Sequence, residues 1–116
     1  MMRSVATIER NSALGAASQV RMGDSMSQYM VIENFKNGDA VPVYSRFRDR
    51  GRMAPEGVSY VSSWVNDKLD RCFQIMETED RALLDQWMAN WSDIVDFEVY
   101  PVIDSREASE RISSRL

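Results

Sequence analysis

Val58-Ser-Tyr-Val-Ser-Ser-Trp-Val65 and Arg71-Cys-Phe-Gln-Ile-Met-Glu-Thr78 flank the polar segment Asn66-Asp-Lys-Leu-Asp70. The two outer runs are rich in β-branched and aromatic residues, and the middle one is made of turn formers, so the stretch reads as a β-hairpin. Upstream, Tyr29-Met-Val-Ile-Glu-Asn-Phe35 is a short β-rich run closed by Lys36-Asn-Gly-Asp39. Asp39 is placed to cap a helix that tolerates Pro42 in its first turn. Ala40, Val43, Tyr44 and Phe47 then recur at helical spacing before Gly51 ends it.

Downstream, Thr78 is the expected cap of a second helix, with Glu79 and Asp80 in its first turn. Its core stripe is Leu83, Leu84, Trp87, Met88 and Trp91. Val95-Asp-Phe-Glu-Val-Tyr100 alternates as a fourth strand ending at Pro101. The resulting order, β-α-β-β-α-β, predicts an α+β domain of ferredoxin-like topology: an antiparallel sheet with two helices on one face. Three regions follow: a disordered leader or overlong start over residues 1–28, the α+β domain over 29–104, and a polar C-terminal helix or tail over 105–116. The tail is expected to dock weakly through Ala108, Ile112 and Leu116.

With 116 residues the chain has material for one core. A net charge of −4 lacks the basic face that nucleic acid requires, so no nucleic-acid partner is expected. The single cysteine, Cys72, precludes an intramolecular disulfide, and no apolar run approaches the roughly 20 residues of a membrane span. A cytoplasmic location without membrane contact is the expectation. The chain has no histidine, which excludes serine–histidine and cysteine–histidine catalysis and removes the commonest metal ligand. No metal site and no cofactor are assigned.

Pairing Trp64 with Cys72 in the hairpin would put Tyr60, Ser62, Trp64, Cys72, Gln74 and Met76 on one sheet face. Val61, Val65, Phe73 and Ile75 would lie on the helix-covered face. In the fourth strand Val95, Phe97 and Val99 go to the helices, leaving Asp96, Glu98 and Tyr100 on the bare face. The orientation of Glu33 is not fixed by a strand that is apolar on both sides. Four strands covered on one side leave a bare face that something must cover. One reading is a homodimer interface, since Tyr, Trp and Met are enriched at interface cores. The other is a barrel of two sheets around a pocket. Candidate pocket residues are Glu33, Tyr60, Ser62, Trp64, Gln74, Glu98 and Tyr100, with aromatic walls and polar anchors.

Arg46, Arg48, Arg50 and Arg52 form a local basic run, but helical spacing divides them between two flanks. They read as snorkelling side chains pairing with Asp49 or Glu56; an anion clamp with Arg52 leaving the helix axis is the sharper alternative. Cys72 lacks a cation on its own strand face, so it reads as a buried structural thiol.

Several blocks carry a resemblance: Tyr29 to Tyr44, Phe47-Arg-Asp-Arg-Gly-Arg-Met-Ala-Pro-Glu-Gly57, Tyr60-Val-Ser-Ser-Trp-Val65, and Arg71-Cys-Phe-Gln-Ile-Met-Glu77, then Trp87 and Asp96-Phe-Glu98. The chain from Tyr29 to about Glu107 resembles a family of short bacterial proteins known as a domain of unknown function. That family looks like a member of the dimeric α+β barrel group, whose ferredoxin-like subunits close a barrel around a pocket. The resemblance implies a homodimer but leaves activity open, because the group spans cofactor-free oxygenases, isomerases, haem-handling enzymes and binding domains. It carries no catalytic residue over, and the absence of histidine removes the usual proximal haem ligand. The expected function is small-molecule binding in a sheet-lined cavity at the dimer. The alternatives are a cofactor-independent oxygenase or isomerase with Glu33 or Glu98 as base, and a purely structural or partner-binding dimer.

Overall fold

The computed structural model describes residues 26–116. The elements run β1 (Ser27–Phe35), a 3-10 turn at Lys36–Gly38, α1 (Val41–Arg50), β2 (Val58–Val65), β3 (Arg71–Thr78), α2 (Arg81–Ala89), β4 (Val95–Val102) and α3 (Ser105–Ile112). The four strands form one sheet in the order β2-β3-β1-β4, with every neighbouring pair antiparallel. This is the expected ferredoxin-like α+β arrangement. β1 begins at Ser27, two residues before the strand expected from Tyr29; the expectation for the leader before residue 26 lies outside the described residues.

Helix starts differ in detail from the sequence reading. The N-cap of α1 is Ala40, not the expected Asp39, and has no side-chain cap bond; Asp39, one residue earlier, accepts the Val41 N–H at 3.0 Å, and Pro42 sits in the first turn. Gly51 closes α1 at φ 71°, a backbone conformation that glycine adopts without steric cost. In α2 the cap is Asp80, which accepts the Ala82 N–H at 2.9 Å. Thr78 instead remains the last residue of β3 and its hydroxyl accepts the Asp80 N–H, fixing the strand-to-helix corner. Pro101 lies inside β4, which continues to Val102; as an edge strand β4 accommodates a residue that cannot donate to the ladder.

The hairpin register departs from expectation by one residue, and the departure inverts a face. Val65 pairs with Cys72 and Trp64 with Phe73. The Asn66 side chain sets this register: its carbonyl accepts the N–H groups of Asp70 and Arg71, and its amide donates to the Asp70 carboxylate. Because side chains alternate, one residue of slip moves a whole strand's set across the sheet. Cys72, Gln74 and Met76 are therefore buried under the helices, while Phe73 and Ile75 lie on the open face, the reverse of the expected division. A bulge between Tyr60 and Ser62 then splits β2, so that Tyr60 packs with the core while Ser62 and Trp64 stay open.

The core lies between the sheet and α1 and α2. Val31, Phe35, Met76 and Val95 from the sheet meet Val43, Leu84, Trp87 and Trp91. Trp87 is 1% exposed and contacts Phe97 with ring centroids 6.0 Å apart, as β4 was expected to supply. α3 and the residues after it lie at the surface; of the residues expected to dock weakly, Leu116 is 94% exposed, whereas Ile112 is 39% exposed and so partly covered.

Candidate functional site

Glu33 is the residue around which the site is built. Its position on β1 follows from the pairing Glu33↔Cys72 and Val31↔Gln74, which places all four side chains on the helix-covered side. Gln74 donates from Nε2 to the Glu33 carboxylate at 2.7 Å, and the Cys72 thiol is hydrogen-bonded to the same carboxyl. Burial pushes the Glu33 pKa up to about 7, against the opposing charge of Arg52 and the hydrogen bonds from Gln74 and Cys72. Removing water from a carboxylate costs more than these partners return, so the acid holds its proton up to near neutrality. Burial, followed by the neighbouring Glu33 charge, pushes the Cys72 thiol well above its ordinary range.

Arg52 closes the site from the loop after α1. Gly51 and then Met53 (φ 61°) turn the chain inward, and the Arg52 guanidinium settles over the Tyr60 ring with Cζ 3.7 Å from its centroid. Its Nε donates to Gln74 Oε1 at 3.2 Å, so Gln74 bridges a cation and a carboxyl. The loop is anchored by its own backbone: the indole N–H groups of Trp87 and Trp91 both donate to the Arg52 carbonyl at 3.0 Å. Both tryptophans thus act as core residues with satisfied polar tips.

These groups line one cavity of about 40 Å³ between the sheet and the helices. Glu33, Ser63, Cys72, Gln74 and Arg52 supply its polar side; Phe35, Val43, Tyr44, Phe47, Trp87 and Trp91 supply its apolar side. It is several times the roughly 10–15 Å³ needed by a single water, and far below the roughly 300 Å³ of a drug-sized pocket. Such a space suits a small group, or the reactive end of a larger molecule.

Of the residues singled out from sequence, Glu33 and Gln74 line this cavity, and Tyr60 stands beside it under Arg52 with its hydroxyl 2.7 Å from Ser63 Oγ. Ser62, Trp64, Glu98 and Tyr100 lie on the opposite, open face of the sheet. Glu98 is not a buried base. Hydrogen bonds from Asn34 and Tyr100, with Arg71 nearby, hold its carboxyl below the usual range. Ser63, not Ser62, faces the helix side, because of the bulge. Arg52 and Cys72, outside the expected pocket set, also line the cavity; Arg52 leaves the helix axis between Gly51 and Gly57, as the sharper reading of the basic run had it.

Two more arginines of the basic run are held in ion pairs. Arg46 makes a two-pronged ion pair with Asp93 at 2.8 and 2.7 Å, which holds that carboxyl down to about 2, and Arg48 pairs with Asp49. Among the described residues, no group of acidic or thiol side chains is arranged to hold a metal ion, and no helix is long and apolar enough to cross a membrane.

The open face has its own character. Met30, Ile32, Trp64, Phe73, Ile75 and Tyr100 share it, with Trp64 52% and Tyr100 51% exposed. At one end Arg71 lies over the Phe73 ring and reaches Glu98, which also accepts from Asn34.

No curated protein and no solved structure matches this sequence. A family model described as a domain of unknown function, DUF3303, matches residues 27–116. That span runs from the first residue of β1 through the core, both sheet faces and α3, and the chain belongs to this DUF3303 family.

Proposed function

We propose that this domain binds a small molecule in the cavity between its sheet and its helices, with Glu33 as the anchoring group. The observation that supports this reading is a carboxyl, 9% exposed, that lines a cavity and titrates near neutrality. A purely structural core gains nothing from such a group, since an apolar residue of the same volume would avoid its desolvation cost. Protonated Glu33 can donate to a ligand carbonyl; ionised Glu33 can accept from a ligand hydroxyl or amine. The aromatic walls favour a flat, partly apolar partner. The ligand pocket thus belongs to each subunit's helix side, rather than to the space between two sheets.

A second reading, cofactor-independent proton-transfer chemistry such as isomerisation or oxygenation, is favoured by the same titration. A base with a pKa near the working pH combines correct ionisation with useful driving force. Gln74 and Arg52 beside it could then hold developing negative charge on a substrate oxygen.

We further propose that the open sheet face makes a homodimer in a cytoplasmic protein. Its apolar and aromatic composition resembles the centre of an interface more than a solvated surface.

Native mass spectrometry of gently purified protein tests these points together. The expected result is a dimer carrying extra mass that is lost on denaturation and is absent from the Glu33→Gln variant. Failure to detect any adduct, together with no chemical-shift change at Glu33 or Gln74 across a library of small carbonyl and phenolic compounds, would overturn the binding reading. A monomer at all concentrations would overturn the dimer.

A further inference from the structure

Three buried polar side chains form a row across the floor of the cavity. Ser63 on β2 stands directly opposite Gln74 on β3, and Gln74 bonds diagonally to Glu33 on β1. Neighbouring strands lie roughly 4.8 Å apart, which sets the spacing of the row. Beside it the Arg52 guanidinium is held against the Tyr60 and Phe47 rings, with Cζ 3.7 and 5.3 Å from their centroids.

The hydrogen-bonding capacity of this row is unbalanced toward donors. Arginine can only donate, so the bond from Arg52 Nε fixes Gln74 Oε1 toward Arg52 and turns Nε2 toward Glu33. One Nε2 proton meets the Glu33 carboxyl; the second has no acceptor among the described residues, although Gln74 is only 3% exposed. The Ser63 and Tyr60 hydroxyls, 2.7 Å apart, hold two protons and share one bond, which leaves one hydroxyl proton over. Glu33 adds a further O–H when it is protonated.

Charge points the same way. The titratable groups around Glu33 are Arg52 from the α1–β2 loop, Cys72 on β3, Tyr44 on α1, and Tyr60 on β2 under the guanidinium. β4 and α2 bring Phe97, Trp87 and Trp91 to this layer, none of which titrates. Burial pushes both the Cys72 thiol and the Tyr44 phenol up, so they stay neutral near pH 7. With Glu33 protonated, Arg52 supplies the charge of the site.

We propose that the cavity takes the carboxylate end of a flat monocarboxylic acid, its oxygens received by Gln74 Nε2 and the Ser63–Tyr60 hydroxyl pair, with Arg52 as counter-charge and Glu33 as proton donor. This rests on the small-molecule reading above and deepens it. Surplus donors beside a cation suit an anionic acceptor and repel an ammonium group. A carboxylate is planar, offers lone pairs without a proton, and has three heavy atoms for a cavity of about 40 Å³, the room of roughly three waters. The rest of the acid lies along Phe47 and Tyr44, where the wall reaches solvent: Tyr44 is 37% exposed. An ionised Glu33 would set a like charge against the ligand, so the acid binds to the protonated form.

Chemical-shift titrations of the ¹⁵N-labelled full chain with acetate, crotonate and benzoate, each beside its primary amide, and with phenol, test the ligand class. At pH 6 a carboxylate is expected to move the Gln74 side-chain amide signals and to bind at least tenfold more tightly than its amide. At pH 8 these acids are still ionised, but Glu33, titrating at about 7, has lost its proton, so the carboxylate Kd should rise roughly tenfold. Arg52→Met keeps the backbone carbonyl that receives the Trp87 and Trp91 N–H groups, and tryptophan fluorescence checks that its fold is retained. In that variant the carboxylate and amide Kd should come within threefold of each other. Amides or phenol binding as tightly as the acids would overturn the carboxylate class and leave the small-molecule reading standing. Acid binding that is equal at pH 6 and pH 8, or that leaves Gln74 unmoved, would overturn it too. No binding by acids, amides or phenol would overturn both.

Discussion

The Arg52 guanidinium rests 3.7 Å from the centroid of the Tyr60 ring, and that stacking fixes where the cavity receives its one positive charge from the α1–β2 loop. From there Arg52 holds Gln74 Oε1 and opposes the desolvation of Glu33. Arg52→Met should therefore raise the Glu33 pKa above about 7, because desolvation would act with less opposition. A ¹³C-carboxyl NMR titration of Glu33 reads this directly; an unchanged or lower pKa would show that Arg52 does not act on the acid.

Stability should fall as pH rises between about 4.5 and 7 through Glu33. The folded state binds the Glu33 proton more tightly than the unfolded chain, so the contribution is full below the unfolded pKa and is lost as pH passes the folded one. The loss should be about 3 kcal/mol at most. Urea unfolding at pH 5 and pH 8, compared between wild type and Glu33→Gln, isolates it: the variant should lack this component.

Gln74→Leu removes a bridge whose two ends are Arg52 and Glu33. Leucine fits the space but leaves the carboxyl without its 2.7 Å donor. The expected cost is roughly 1–3 kcal/mol in urea unfolding at neutral pH, with a further rise in the Glu33 pKa. A stabilised variant would mean that the cavity's polar groups are satisfied some other way.

Gly57→Ala should destabilise the domain by about 1–2 kcal/mol. Gly57 has φ 98°, and a Cβ there would lie 2.8 Å from the Leu83 side chain. The leucine tip can move aside, so backbone strain should dominate. Thermal unfolding checks this, and Leu83→Ala in the same background should restore little.

Cys72 should not react with Ellman's reagent in the native protein. The residue is 6% exposed, and its thiol pKa is pushed up by burial and by Glu33. Reaction in urea should be rapid, and fast labelling of the native state would reveal opening of the cavity.

The DUF3303 sequence by itself determined the element order, the ferredoxin-like class, both core tryptophans and the inward side of β4. Those features depend on local signals: turn formers between β-rich runs, helical spacing of Leu84, Trp87 and Trp91, and clean alternation at Val95, Phe97 and Val99. It also brought Glu33 and Gln74 to notice as polar groups among apolar strand residues.

Which face those residues occupy was decided by tertiary structure alone. β3 alternates Cys72, Gln74 and Met76 with Phe73 and Ile75, two sets of nearly equal apolar character, so no pattern within the strand chooses between them. The choice depends on one residue of hairpin register, set by Asn66, and on a bulge at Tyr60–Ser62 that alternation cannot reveal. The bond between Glu33 and Gln74, 41 residues apart, and the arrival of Arg52 beside them follow from that choice. Long-range pairing places the acid where water is scarce, and scarcity of water gives it a pKa useful near neutrality.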